Sequence, residues 1–370
     1  MINRRAFLKS AGAGAAALAL STTTGLAAKA KPKPVESDFA GRLDPVGRIL
    51  QREGWVTWGC SPVYGPEGRV HVLCAHWEAV GDASGPKGWL ERSKVFHAVA
   101  DEPGGPYEIT HCVAKGRGGE HWDADMIHNP TAQRVGDRYA LFYIGNNVER
   151  AEKQGKMAIY TQRIGLMLAD HPGDPWKRSG EGPVLEAARD KECWDYDSRY
   201  GATNPAYLHH PSGEHWLYYK AGRTGGRLRQ IGLAVSDRLE GPYRRVHRHA
   251  PVVDFEPYGA QCEDPYVFIE DGKFYMVARD MNMFGHQYGV FMESDDGINW
   301  SEPKIGYHGA RHYPLFAKEP EKSLNAWRGA RFERPQVLMR NGRPEYLFVS
   351  FSGGKYHRST GAVFKVRPKP

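Results

Sequence analysis

The sequence predicts an all-β fold in which five like units, each of four antiparallel strands, close into a five-bladed β-propeller. Three observations predict it. A phrase ending in proline and followed by a Gly-centred hairpin occurs five times. A second phrase, a short apolar strand with its own turn, follows most of them. The two together cover nearly everything after the first forty residues. The repeat is roughly 60–75 residues long, against about 40–50 for common propeller repeats, so long insertions separate the strands.

The hairpins run in order along the chain. The first is Cys60-Ser61-Pro62 with a turn at Glu67-Gly68-Arg69. The second is His128-Asn129-Pro130 with Gly136-Asp137, and the third Thr203-Asn204-Pro205 with Ser212-Gly213. The fourth is Glu263-Asp264-Pro265 with Asp271-Gly272, and the fifth Glu333-Arg334-Pro335 with Asn341-Gly342. Each reads as strand, tight turn, strand. The companion phrase is Lys94–Ala100, then Arg163–Ala169, then Gln230–Ser236, then Tyr288–Ser294. It supplies a third strand, and Gly105-Pro106-Tyr107 or Gly241-Pro242-Tyr243 leads into a short outer one.

The first thirty residues stand apart. Arg4-Arg5 precedes a small apolar run from Ala11 to Leu20, and Ala28-Lys29-Ala30 offers a small-x-small cleavage site. The run is too short for the ~20 residues that span a bilayer. Residues 1–30 read as a twin-arginine signal peptide, residues 31–40 as an extended linker with Lys31-Pro32-Lys33-Pro34, and 41–370 as one propeller domain. The expected location is the periplasm or the medium, with no membrane attachment once the signal is removed. The formal net charge of +7 falls by four to +3 without residues 1–30, too weak a balance, and without any basic cluster, to argue for nucleic acid. Five cysteines leave at least one unpaired; Cys60 and Cys74 are placed to pair across one hairpin or to stay as buried thiols.

Closing five hairpins into a ring brings the residues before each proline to one end of the axis. There they read Cys60-Ser61, His128-Asn129, Thr203-Asn204, Glu263-Asp264 and Glu333-Arg334. Ionisable groups in a confined place are costly unless paired. One reading is a salt-bridge lattice, with Arg334 pairing Glu263 or Glu333. The favoured reading is a catalytic funnel, since coupled acids and a histidine are how pKa values are moved for proton transfer. Trp122-Asp123-Ala124-Asp125 and Trp194-Asp195-Tyr196-Asp197 precede the second and third inner strands and are expected on the funnel rim, indoles for sugar faces and carboxylates for hydroxyls. The ends of second strands, His76-Trp77, Lys220 with Arg223 nearby, and Arg279-Asp280, are expected further out, at the mouth.

The x-x-Pro hairpins alternating with Ile-Gly-Leu-Ala-x-Ser and Gly-Pro-Tyr strands resemble the five-bladed propeller glycoside hydrolases related to family 43, over about residues 41–369. The resemblance implies carboxylate acid–base cleavage of an oligo- or polysaccharide. Glu263-Asp264-Pro265 is similar to that family's acid motif, with Asp in place of Gly, so Glu263 is the implied acid. Ser61-Pro62 and His128-Asn129-Pro130 stand where the family has its base and a tuning aspartate. Asp123, Asp125, Asp264 or Glu333 would then be the partner. The resemblance also allows a structural divalent cation on the axis; no other cofactor is implied. A second, fainter likeness is to propeller lyases that cleave at uronates, where His128 would move the proton and Lys220 or Arg223 would hold the carboxylate. A carbohydrate-binding propeller without catalysis is the third reading. Trp122, Trp194, Asp195, His76, Lys220, Arg223, Arg334 and Asp280 are the candidate substrate contacts.

Overall fold

The computed structural model describes residues 28–79, 86–324 and 330–369. The expected signal peptide lies outside the described residues, apart from its last three. Five four-stranded antiparallel sheets make the predicted propeller. The first strand, β1 (Leu43–Ile49), belongs to the last blade and is treated below. Blade 1 holds β2 (Trp55–Tyr64), β3 (Val70–Glu78), β4 (Lys94–Ala100) and β5 (Glu108–Ala114). Blade 2 holds β6 (Met126–Val135), β7 (Arg138–Asn146), β8 (Arg163–Ala169) and β9 (Lys177–Arg178). Blade 3 holds β10 (Thr203–His209), β11 (His215–Gly222), β12 (Arg229–Ser236) and β13 (Arg244–Arg245). Blade 4 holds β14 (Gln261–Glu270), β15 (Lys273–Met281), β16 (Gly289–Ser294) and β17 (Lys304–Tyr307). Blade 5 takes β18 (Phe332–Arg340), β19 (Arg343–Phe351) and β20 (Thr360–Val366) from the end of the described chain and β1 from its start.

The turns follow from local chemistry. Asp271-Gly272 and Asn341-Gly342 both take positive φ, 53° and 76° in one and 51° and 75° in the other, the two-residue geometry that matches strand twist. The glycine of Ile164-Gly165-Leu166 and of Ile231-Gly232-Leu233 has a packing reason. A Cβ on Gly165 would lie 2.4 Å from the Tyr143 ring, and one on Gly232 2.5 Å from the Tyr219 ring.

The ring is closed by β1 pairing with β20, from Leu43 opposite Val366 to Ile49 opposite Gly361. Arg48 secures it, with Nε 2.9 Å from Glu319 Oε1 and its guanidinium 3.6 Å from the centre of the Phe351 ring. Leu43 is buried in the core between blades 4 and 5 with Phe39, Phe332 and Phe364. Leu43→Ala should therefore cost about 2 kcal/mol through the cavity it leaves. A lowered urea midpoint is the readout, and an unchanged midpoint would mean that the clasp carries no load.

All five cysteines are free; Cys60, Cys74 and Cys262 are buried and Cys112 is exposed. Burial pushes the thiol pKa of Cys74 up to about 12. A thiol reagent should label Cys112 fast in the native protein and all five only in denaturant. Fast native labelling of Cys74 would contradict this packing.

Register corrects one expectation. The inner strands are bulged between His128 and Thr131, Thr203 and Ala206, Glu263 and Tyr266, and Glu333 and Gln336. In blade 1 the bulge falls between Trp58 and Ser61. The ring member of blade 1 is therefore Trp58-Gly59-Cys60, two residues before the expected Cys60-Ser61-Pro62. The middle residue of each triplet takes left-handed φ: Gly59, Asn129, Asn204, Asp264 and Arg334, between 47° and 58°. That bulge re-aims a side chain, and the five middle positions meet on the axis. Asn129 Nδ2 donates to Asn204 Oδ1 at 3.1 Å, and Asn204 Nδ2 donates to Asp264 Oδ1. Arg334 Nη2 donates to Asn129 O and Thr131 Oγ1, each at 2.9 Å.

Candidate active site in the propeller funnel

The first residue of four of the five triplets faces the open end of the axis. Trp58, His128, Glu263 and Glu333 line a cavity of about 450 Å³, and the blade 3 position, Thr203, is represented by its strand partner Lys220. Trp58, Trp77 and Trp89 form an aromatic wall; Tyr200 and Arg229 stand on another side, and Arg331 and Arg358 come from blade 5.

The floor is a charge lattice. Lys220 Nζ is 3.2 Å and Arg229 Nε 3.3 Å from Glu263 Oε2. Arg279 Nη1 donates to Glu263 Oε1 and lies 2.6 Å from Glu333 Oε2. Arg331 Nε donates to Glu333 Oε1 at 2.7 Å. Asp264 Oδ1 is 3.9 Å from Arg334 Nη1 beneath. Oxygens of Glu263, Asp264 and Glu333 lie within 4.8 Å of one another.

These neighbours pull two adjacent carboxyls apart. Burial would raise Glu263, but Lys220, Arg279 and Arg229 outweigh it and hold this carboxyl well below the usual range. Burial and the charge of Glu263 push Asp264 up to about 6, against Arg334 and Lys220. Burial lowers Lys220, with Glu263 opposing. One carboxyl stays ionised and the next keeps its proton to a higher pH than an ordinary aspartate does.

His128 lines the same cavity between two indoles, its ring 5.0 Å from Trp89 and 5.6 Å from Trp77. Ser93 Oγ donates to Ile127 O at 3.0 Å and so accepts from His128 Nδ1 at 2.8 Å, which leaves Nε2 as the acceptor. Burial, then the charges of Arg334 and Lys220, lower its pKa to about 3.

Among the described residues, two groups of side chains have metal-ligand character. A divalent ion on Glu263, Asp264 and Glu333 would have to displace the Arg279 guanidinium that already joins two of them, so this donor set does not fit one. Glu67, His71 and His171 form the other group, outside the cavity, where Glu67 already accepts from both rings.

No family model matches the chain. Over 239 residues it is 28% identical to the extracellular endo-alpha-(1->5)-L-arabinanase 2 of Bacillus subtilis, covering 61% of this chain and 45% of that protein. Over 251 residues it is 24% identical to the extracellular endo-alpha-(1->5)-L-arabinanase of Thermotoga petrophila, covering 62% and 46%. The chain thus spans less than half the length of these curated relatives. Among solved structures it superposes on a family 117 glycoside hydrolase of the marine bacterium Zobellia galactanivorans with TM-score 0.62, at 16% identity over 87% of this chain and 89% of that one. A GH43_1 enzyme from Xanthomonas citri gives 0.54, at 16% identity over 88% and 91%. The fold is shared with known glycoside hydrolases.

Against that glycosidase fold the sequence candidates divide. Glu263, Asp264, Glu333, His128 and Lys220 line one cavity, and Arg334 lies fully buried just below it. Lys220 and Arg279 are not further out, as expected, but level with the triplets. An antiparallel second strand ends where the first begins, so Thr203 faces Lys220 and Glu263 faces Arg279. Nor does Arg334 pair Glu263 or Glu333; Arg279 joins those two.

The remaining candidates do not line the cavity. Asp123 is buried, taking Tyr143 Oη at 3.0 Å, Arg178 Nε at 2.8 Å and Arg117 Nε at 2.6 Å. Asp195 repeats this with Tyr219 Oη at 3.2 Å and Arg245 Nε at 2.8 Å. Trp122 stacks on Tyr143 and Trp194 on Tyr219. The repeated Trp-Asp pins a loop to the outermost strand of its blade, in both copies. Asp125 accepts from Val148 N at 2.6 Å. Asp280 accepts from the amides of Met283, Phe284 and Gly285. Arg223 pairs with Asp254 and Glu256, and His76 bonds Thr57 under the Trp55 ring. Sequence reasoning missed Trp58, Trp89, Tyr200, Arg229, Arg331 and Arg358 as cavity residues. Only Trp58 had a signal, since Gly59 could be matched to the other left-handed middle residues.

Proposed function

We propose that this chain is an exported glycoside hydrolase whose chemistry is done by Asp264 and Glu263 in the funnel. The observation that carries this is the pair of adjacent carboxyls with opposed pKa shifts on the floor of an indole-walled cavity. Neighbouring acids driven apart in pKa divide acid and base roles between them. The protonated Asp264 gives its proton to the leaving glycosidic oxygen. The ionised Glu263 faces the positive charge that develops on the sugar ring, and a water adds to the anomeric carbon as a proton from that water passes to the vacated Asp264. This exchanges the acid role expected for Glu263, because three cations around that group keep it ionised. Glu333 holds Arg279 in place, and the partly exposed Trp58 and Trp89 offer faces to the sugar.

The names of the two bacterial relatives, both extracellular arabinanases, support carbohydrate as substrate and a location outside the cytoplasm. Removal of residues 1–30 on twin-arginine export is part of the proposal, checked by N-terminal sequencing of the protein from a periplasmic fraction. The decisive assay follows a panel of oligosaccharides for reducing ends and for near-ultraviolet absorbance together. New reducing ends without absorbance are expected. Rising absorbance would instead mean elimination, with the neutral His128 Nε2 as base beside Lys220.

A further inference from the structure

The lining of the funnel carries more positive than negative side chains. Among the described residues, five cationic groups, Lys220, Arg229, Arg279, Arg331 and Arg358, share it with three carboxyl groups, Glu263, Asp264 and Glu333. Every carboxylate is already engaged, Glu263 by three cations, Glu333 by two and Asp264 by Arg334 from below. Among the described residues the surplus is not matched. Arg358 makes no ion pair among the described residues, and Arg279, only 7% exposed, keeps a buried Nε–H without a hydrogen-bond acceptor. Cations in a confined, partly dry space are costly without a counter-charge. Breaking a glycosidic bond also builds positive charge on the sugar. An empty, net-cationic cavity opposes that step unless the ligand brings negative charge with it.

We infer that the sugar held in this cavity is acidic, a uronic acid whose carboxylate is gripped by Arg358 together with other guanidinium groups of the lining. Planar guanidinium forks suit a planar carboxylate. The partly exposed indoles of the aromatic wall, Trp58 and Trp89, would take the apolar face of the ring. The inference deepens the hydrolase reading and rests on it for the bond-breaking argument, but the charge surplus stands apart from any reaction.

The test is titration calorimetry of the purified protein with galacturonate and glucuronate, and with galactose, glucose and arabinose as neutral counterparts. The uronates should bind and the neutral sugars should not at the same concentrations. Binding should weaken with added salt, and Arg358→Gln, in a partly exposed loop, should weaken it about tenfold. Arg358→Lys should recover part of the loss. Equal binding of neutral sugars, or binding of neither kind, overturns the inference. Uronate binding without release of reducing ends from uronate-containing oligosaccharides sinks the hydrolase reading and leaves this one standing. Hydrolysis of neutral arabino-oligosaccharides by a protein blind to uronates does the reverse.

Discussion

Asp264→Asn and Glu263→Gln each lower turnover by roughly 10²-fold or more, the usual share of a positioned proton-transfer group. They differ in pH profile. With Asp264 as the acid, wild-type activity falls as pH rises past about 6, where that carboxyl loses its proton. Asp264→Asn abolishes that limb along with most of the activity. Glu263→Gln keeps the limb but moves it to lower pH, because the charge of Glu263 is one of the forces holding Asp264 up. A limb that stays in place in Glu263→Gln would show that the two groups are not coupled. The same shifts oppose each other in stability. The raised Asp264 favours the fold at low pH, and that contribution fades as pH climbs through about 6. The depressed Glu263 favours it above the ordinary carboxyl range, and that contribution is lost on strong acidification.

Arg334→Met destabilises the protein by about 3–5 kcal/mol, the cost of removing one partner from a buried charged network. Arg334 is 0% exposed and serves several blades at once. From blade 5 it donates to Asn129 O and Thr131 Oγ1 of blade 2, and stands 3.9 Å from Asp264 of blade 4. Its side chain also lies against Gly59 of blade 1, with Cγ 3.5 Å from where a Cβ would be. Burial lowers its pKa to about 10, so it stays charged at neutral pH. Methionine fills the space but takes the counter-charge from Asp264 and the donor from Asn129 O and Thr131 Oγ1. Chemical denaturation followed by circular dichroism measures the loss. A variant with the wild-type midpoint would mean that the axis is not held by this side chain.

The architecture was legible because five hairpins say nearly the same thing. Where a copy departs from the shared wording, the sequence misleads. Pro62 drew the first triplet two residues too far along, since Trp58-Gly59-Cys60 has no proline and its left-handed middle residue is a glycine. The Trp-Asp loops failed for the opposite reason. A feature repeated at the same place in two blades serves what the blades share, and Asp123 and Asp195 are each spent on an arginine of their own outer strand. The cavity is built where the copies differ: Trp, His, Glu and Glu at one ring position, with Lys220 in place of the fifth. The arginines facing those acids were hidden because Arg229, Arg331 and Arg358 reach the funnel from strand ends and loops, and no linear spacing encodes which loop lies next to which.

The pairing of β1 with β20 sets a clock. A ribosome adding 5–20 residues each second needs roughly 15–60 s to travel from Ile49 to Thr360. Through that interval Phe39, Leu43 and Ile49 wait with their permanent cover unmade. The circle can be completed only after translation of blade 5. If residues 1–30 address the chain to a translocase that accepts finished cargo, departure must wait for this last join, and a weakened clasp would show first as protein stranded in the cytoplasm.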